Sequence, residues 1–119
     1  MKKVLIGATG IVMIIVVACS KGGNGSNGGM ETTVDCSGAA KSFATDVNPI
    51  IQGSCTNGGC HGAGSNNGPG PLLTFQQIFN ARVAIRSAVA SGIMPQNSSL
   101  SASQKNAILC WIDNGAANN

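Results

Sequence analysis

From Ser20 to Met30 the chain reads Ser-Lys-Gly-Gly-Asn-Gly-Ser-Asn-Gly-Gly-Met, and this run confines folding to the residues on its C-terminal side. So small and polar a composition buries no core and behaves as a flexible coil. About 80 residues, from Val34 to Ala117, are left to fold, and a domain of that size rarely holds together by packing alone. A covalent staple or a bound group is expected. Phe43, Val47, Ile50 and Ile51 share one helical stripe, and Pro49 suits only a first turn, so the regular helix is expected from near Val47 or Asn48 to about Gly53. Residues 62–71, rich in Gly, Asn and Pro, read as a loop. Thr74 with Gln77 forms a capping-box pattern ahead of Phe75, and Ile78, Phe79, Arg82, Ile85, Ala88 and Val89 carry a helical face toward Gly92, as one bent helix or two short ones. Ser101 with Gln104 repeats the pattern before a helix from Ala102 to about Asn114, closed by Gly115, whose apolar face is Ile108, Leu109, Trp111 and Ile112. No segment alternates with period two. The domain, residues 34–119, is expected to be all-α.

Ahead of the glycine-rich run stand Met1-Lys2-Lys3, an apolar stretch from Val4 to Val17, then Ala18-Cys19. A basic start, a short apolar stretch and a small-residue exit read as a signal peptide over residues 1–18. The stretch covers 14 positions and contains Gly7, Thr9 and Gly10, whereas a spanning helix needs about 20 mostly apolar residues. Val16-Val17-Ala18-Cys19 resembles the lipobox of bacterial lipoproteins, which implies cleavage before Cys19 and acylation of its thiol and amine. Several acyl chains on one residue give stable anchoring where one would hold marginally. Residues 19–33 then form a lipidated cysteine and tether, whose eleven Gly-rich residues reach roughly 17–20 Å. Ser20 lacks the acidic character that retains many lipoproteins in the inner membrane. The expectation is an exported protein held to a bacterial membrane bilayer, facing the periplasm or the cell surface, with the outer membrane favoured. Charge adds little: there are 7 Lys+Arg against 4 Asp+Glu, and Lys2 and Lys3 leave with the signal peptide. That is too little for a nucleic-acid footprint and implies no charge-driven partner.

The chemistry is concentrated in Cys55-Thr56-Asn57-Gly58-Gly59-Cys60-His61-Gly62. Two thiols followed directly by an imidazole meet the needs of covalent haem attachment, in which the thiols add to two vinyl groups and the imidazole reaches the iron. The usual spacing is Cys-x2-Cys-His, and here it is Cys-x4-Cys-His. The small residues between the thiols suit an outward loop, since Gly takes positive φ without a Cβ penalty. A simple disulfide and a zinc site are the rival readings, although zinc needs four ligands and the domain has one His.

On these residues the chain resembles the single-haem cytochromes c, including bacterial lipoprotein members with the attachment motif widened to Cys-x4-Cys-His. The resemblance runs over about residues 43–116 and includes Pro49-Ile50-Ile51, Cys55/Cys60-His61-Gly62, Ile93-Met94-Pro95 and Trp111-Ile112-x-x-Gly115-Ala116. It implies a small cytochrome c-like helical domain wrapped around one covalent haem c, with His61 as the proximal and Met94 as the distal iron ligand. Met94 is also reached by elimination, because Met1 and Met13 leave with the signal and Met30 lies in the tether. Pro95 restricts Met94 to extended conformations. The plain alternative for Met94 is a core methionine filling a gap.

With Cys19 on lipid and Cys55 and Cys60 on haem, Cys36 and Cys110 remain, and an oxidising location favours pairing them over leaving two free thiols. Cys110 falls 200° from Ile108 on a helical wheel, on the back of the last helix and outside its core face. Trp111 is expected against the first helix and the porphyrin edge. Arg82 and Arg86, one turn apart, are either solvated or contacts for haem propionates. An iron with both axial positions filled favours outer-sphere electron transfer, and the acidic residues Glu31, Asp35, Asp46 and Asp113 show no pairing for acid–base work. The expectation is therefore a non-enzymatic, monomeric, membrane-tethered electron carrier that visits redox protein partners. The alternative is a haem-free, disulfide-stapled lipoprotein that acts as an interaction module.

Overall fold

The computed structural model describes residues 33–119. The signal peptide, Cys19, Met30 and all of the tether but its last residue lie outside the described residues. A π-helical turn, Phe43–Val47, runs directly into α1, Asn48–Ser54; α2 spans Phe75–Ser91 and α3 spans Ala102–Asp113. There is no strand among the described residues, so the domain is all-α.

The first helical segment opens earlier than Pro49 alone implies, because its free amides find partners at the other end of the chain. Ala44 N–H donates to the Asn119 carbonyl at 2.8 Å, and Phe43 N–H to its side-chain oxygen at 2.9 Å. Ser42 N–H donates to Asp46 Oδ2 at 2.7 Å. Such contacts satisfy the amides a helix start leaves without intrahelical acceptors. Pro49 then sits in the first turn of α1, where its missing N–H costs nothing.

Both capping boxes form. Thr74 Oγ1 accepts from Gln77 N–H at 3.3 Å while Gln77 Oε1 accepts from Thr74 N–H at 3.1 Å. Ser101 and Gln104 make the same reciprocal pair at 3.2 and 2.9 Å. α2 is one uninterrupted helix of 17 residues, closed by Gly92 at φ 75°. α3 ends in a Schellman motif: Ala116 N–H donates to the Trp111 carbonyl, Gly115 N–H to that of Ile112, and Gly115 takes φ 100°.

α3 lies against both α2 and the π-helical turn. Val47, Ile51, Ile78, Ile108, Leu109 and Trp111 are essentially sealed from solvent. Phe43, Phe75, Phe79 and Trp111, every aromatic residue in the chain, form one cluster, with Phe43 and Phe75 edge to face at 5.0 Å and Phe43 5.4 Å from Trp111. These are geometries in which aromatic pairs attract beyond simple burial. The Trp111 indole N–H donates to the Ala117 carbonyl at 2.8 Å.

Cys36 and Cys110, 74 positions apart in sequence, are joined by a disulfide. Cys110 stands outside the main core cluster, in accord with the helical wheel, yet it is only 2% exposed. The arm that carries Cys36 lies over it and covers the back of α3 at that point.

Candidate functional site

α1 ends at Ser54, and the chain from Cys55 to His61 turns back on itself. His61 N–H donates to the Cys55 carbonyl at 2.9 Å and Cys60 N–H to that of Asn57 at 2.9 Å, which closes the turn. Thr56 Oγ1 ties the turn to α1 through the Gln52 carbonyl at 2.7 Å. Gly59 takes φ 86°, a conformation that favours glycine. Gly62 is required for a different reason: a Cβ there would stand 2.8 Å from the Thr56 carbonyl oxygen, closer than real contacts allow.

His61 is 7% exposed, and its Nδ1 lies 3.0 Å from the Gly70 carbonyl oxygen. A carbonyl only accepts, so Nδ1 carries a proton, and in the neutral imidazole Nε2 keeps its lone pair. Nε2 has no hydrogen-bond partner among the described residues, yet no side-chain nitrogen or oxygen among them is both sealed from solvent and unpartnered. Nε2 therefore keeps some exposure to solvent, and the residue lines the cavity beside it.

That cavity has a volume of about 410 Å³ and is walled by Cys55, Cys60, His61 and Met94 among others. A second cavity of about 140 Å³ shares Cys55, His61, Gly68 and Met94 with the first and continues into an aliphatic cleft of Ile51, Leu72, Ile85, Val89 and Ile108. The pair falls in the size range of cofactor pockets, roughly 300–1,000 Å³. Met94 is held at the end of α2 by its own N–H, which donates to the Ala88 carbonyl at 3.2 Å. The structure thus brings together Cys55, Cys60 and His61 of one motif and Met94 from beyond α2.

Cys55 and Cys60 are free thiols. Burial pushes the Cys55 thiol up from its ordinary value, and the neighbouring Cys60 adds to the effect, so Cys55 stays protonated at neutral pH. Among the described residues no three His, Cys, Asp or Glu side chains come close enough to hold a metal ion together, which gives the zinc reading no ligand set there.

Other expected residues are placed elsewhere. Arg82 stacks over the Phe79 ring at 4.0 Å and donates to the Phe79 carbonyl at 2.8 Å. Arg86 forms a forked pair with Asp113 at 2.6 and 2.9 Å. Neither arginine lines the two cavities: Arg86 is turned to Asp113 of α3, and Arg82 folds back on Phe79. Trp111 also lines neither cavity, since its ring is taken up by the aromatic cluster. Sequence reasoning missed the polar residues of the 62–71 loop. Asn67 Nδ2 donates to the carbonyls of Gly59 at 2.7 Å and Cys60 at 3.0 Å, and the Ser65 hydroxyl donates to the same Cys60 carbonyl. An Asn among glycines signals only a turn, so nothing local marked it. No family model, curated protein or solved structure matches this chain.

Proposed function

We propose that this protein is a membrane-tethered electron carrier of the single-haem cytochrome c kind, with haem c attached through Cys55 and Cys60 and with His61 and Met94 as axial ligands. The observation that carries this reading is the shared cavity, whose wall includes two free thiols, an imidazole hydrogen-bonded at Nδ1 to the Gly70 carbonyl and a thioether-bearing residue. The residues fit the group. Each thiol adds across one vinyl double bond, the sulfur to one carbon and the hydrogen to the other, so attachment needs no oxidant. The Gly70 carbonyl fixes the tautomer and the orientation of the His61 ring, as outer-shell partners of ligating histidines do. Aliphatic walls from Ile51, Leu72, Ile85, Val89 and Ile108 exclude water from one side. When bound, the iron supplies the Fe(III)/Fe(II) couple, and a Met/His ligand pair raises its potential relative to other ligand sets.

None of the charged residues among those described lines either cavity. Partners would therefore meet the cavity mouth through uncharged surface.

The test is the reduced-minus-oxidised visible spectrum of the full chain, matured in a host with c-type haem assembly and read by pyridine haemochrome. A c-type α-band at one haem per chain is expected. A chain that matures without covalent haem overturns the reading and leaves the stapled, haem-free lipoprotein.

A further inference from the structure

The widened loop poses a positional problem. Two more residues than the usual spacing separate the thiols, and Gly58 and Gly59 have no neighbour within 4 Å of where a Cβ would stand. Backbone of this kind has more conformations to lose than any other, so the Cys60 thiol needs an external restraint to meet the cavity in step with Cys55 and His61.

The restraint is on the opposite side of the motif. Both N–H groups of the Asn67 side chain are used, one on the Gly59 carbonyl and one on that of Cys60. Its main-chain N–H donates to Ser65 Oγ at 3.2 Å, and that hydroxyl donates in turn to the Cys60 carbonyl. The Asn67 carbonyl accepts from Gly70 N–H, and the Gly70 carbonyl is the acceptor that orients His61. One residue therefore grips the backbone at the second thiol and, through a single intervening residue, the imidazole. The isosteric carboxylate could not do this, because it would set negative charge against two carbonyl oxygens.

We infer that Asn67 is a positioning residue that keeps Cys60 and His61 in register across the lengthened loop. The inference rests on the haem-attachment reading of the site, and its test separates the two. In the haem-free full chain, maleimide labelling followed by mass spectrometry reads Cys55 and Cys60 individually. Asn67→Ala is expected to label Cys60 about fivefold faster, the factor for two exposed hydrogen bonds lost at the low end of their net worth, with Cys55 unchanged. In the maturation host the same variant should carry about fivefold less covalent haem per chain. Deleting Gly58 and Gly59 in the Asn67→Ala background restores the ordinary spacing and should restore attachment. Equal acceleration of both thiols, or no rescue by the deletion, would mean that Asn67 only stabilises the fold, and the inference falls. Unchanged Cys60 labelling in Asn67→Ala overturns it as well. A wild-type chain that takes no haem sinks the electron-carrier reading instead, while the labelling ratio still decides the role of Asn67.

Discussion

Cys36 on the N-terminal arm is bonded to Cys110 on the back of α3, so a segment with no regular secondary structure is fixed across the last helix. The covalent loop spans 74 residues, nearly the whole domain. In the chain-entropy view, closing such a loop restricts the unfolded chain and is worth about 4 kcal/mol. Replacing both cysteines with Ala should lower the unfolding free energy by about that amount in urea titrations. A loss below about 1 kcal/mol would show that the arm is held by its other contacts.

Gly62 admits no side chain, since a Cβ meets the backbone oxygen of Thr56 rather than a movable group. Gly62→Ala should therefore destabilise the domain by about 1–3 kcal/mol through forced backbone movement. Gly53→Ala is the control, because a Cβ there meets open space and the position is helical. The urea midpoint of each variant checks this, and equal midpoints would refute the steric argument.

Arg86 holds the Asp113 carboxyl below its ordinary value of 3.8, chiefly through hydrogen bonding, with partial burial opposing. The folded chain thus binds a proton at Asp113 less readily than the unfolded chain does. The pair stabilises the fold fully above about pH 3.8, and this contribution disappears as pH falls through the lowered native value. Melting curves of the wild type and of Asp113→Asn should differ at pH 7 and converge toward pH 2. The difference at pH 7 should be small and should shrink with salt, because both side chains are well exposed. A gap that persists at pH 2 would rule out a charge effect.

Met94 is the only methionine in the folded domain, and it lines both cavities. In the haem-loaded protein Met94→Ala should abolish the sulfur-to-iron charge-transfer band and lower the reduction potential, with covalent attachment intact. An oxidised spectrum unchanged by the substitution would place Met94 among the gap-filling core methionines. Redox titration of both proteins decides it.

Much of this domain is legible in local sequence because the interactions responsible are local. Thr74 and Gln77, or Ser101 and Gln104, lie three residues apart, and their capping boxes need nothing else from the fold. The positive φ of Gly92 and Gly115 follows from the same short-range chemistry. The Cys55, Cys60 and His61 pattern is equally local, so the expectation of haem attachment rests on residue types and spacing, and the structure adds that all three line one cavity. Tertiary structure decided whatever depends on partners distant in sequence. Arg86 faces Asp113, 27 residues away, because α2 packs against α3. Cys110 is buried because an arm 74 residues upstream covers it. Asn67 acquires its role only once the 62–71 loop folds back over the Cys60 carbonyl, since a side-chain amide finds its acceptors through space and not along the chain.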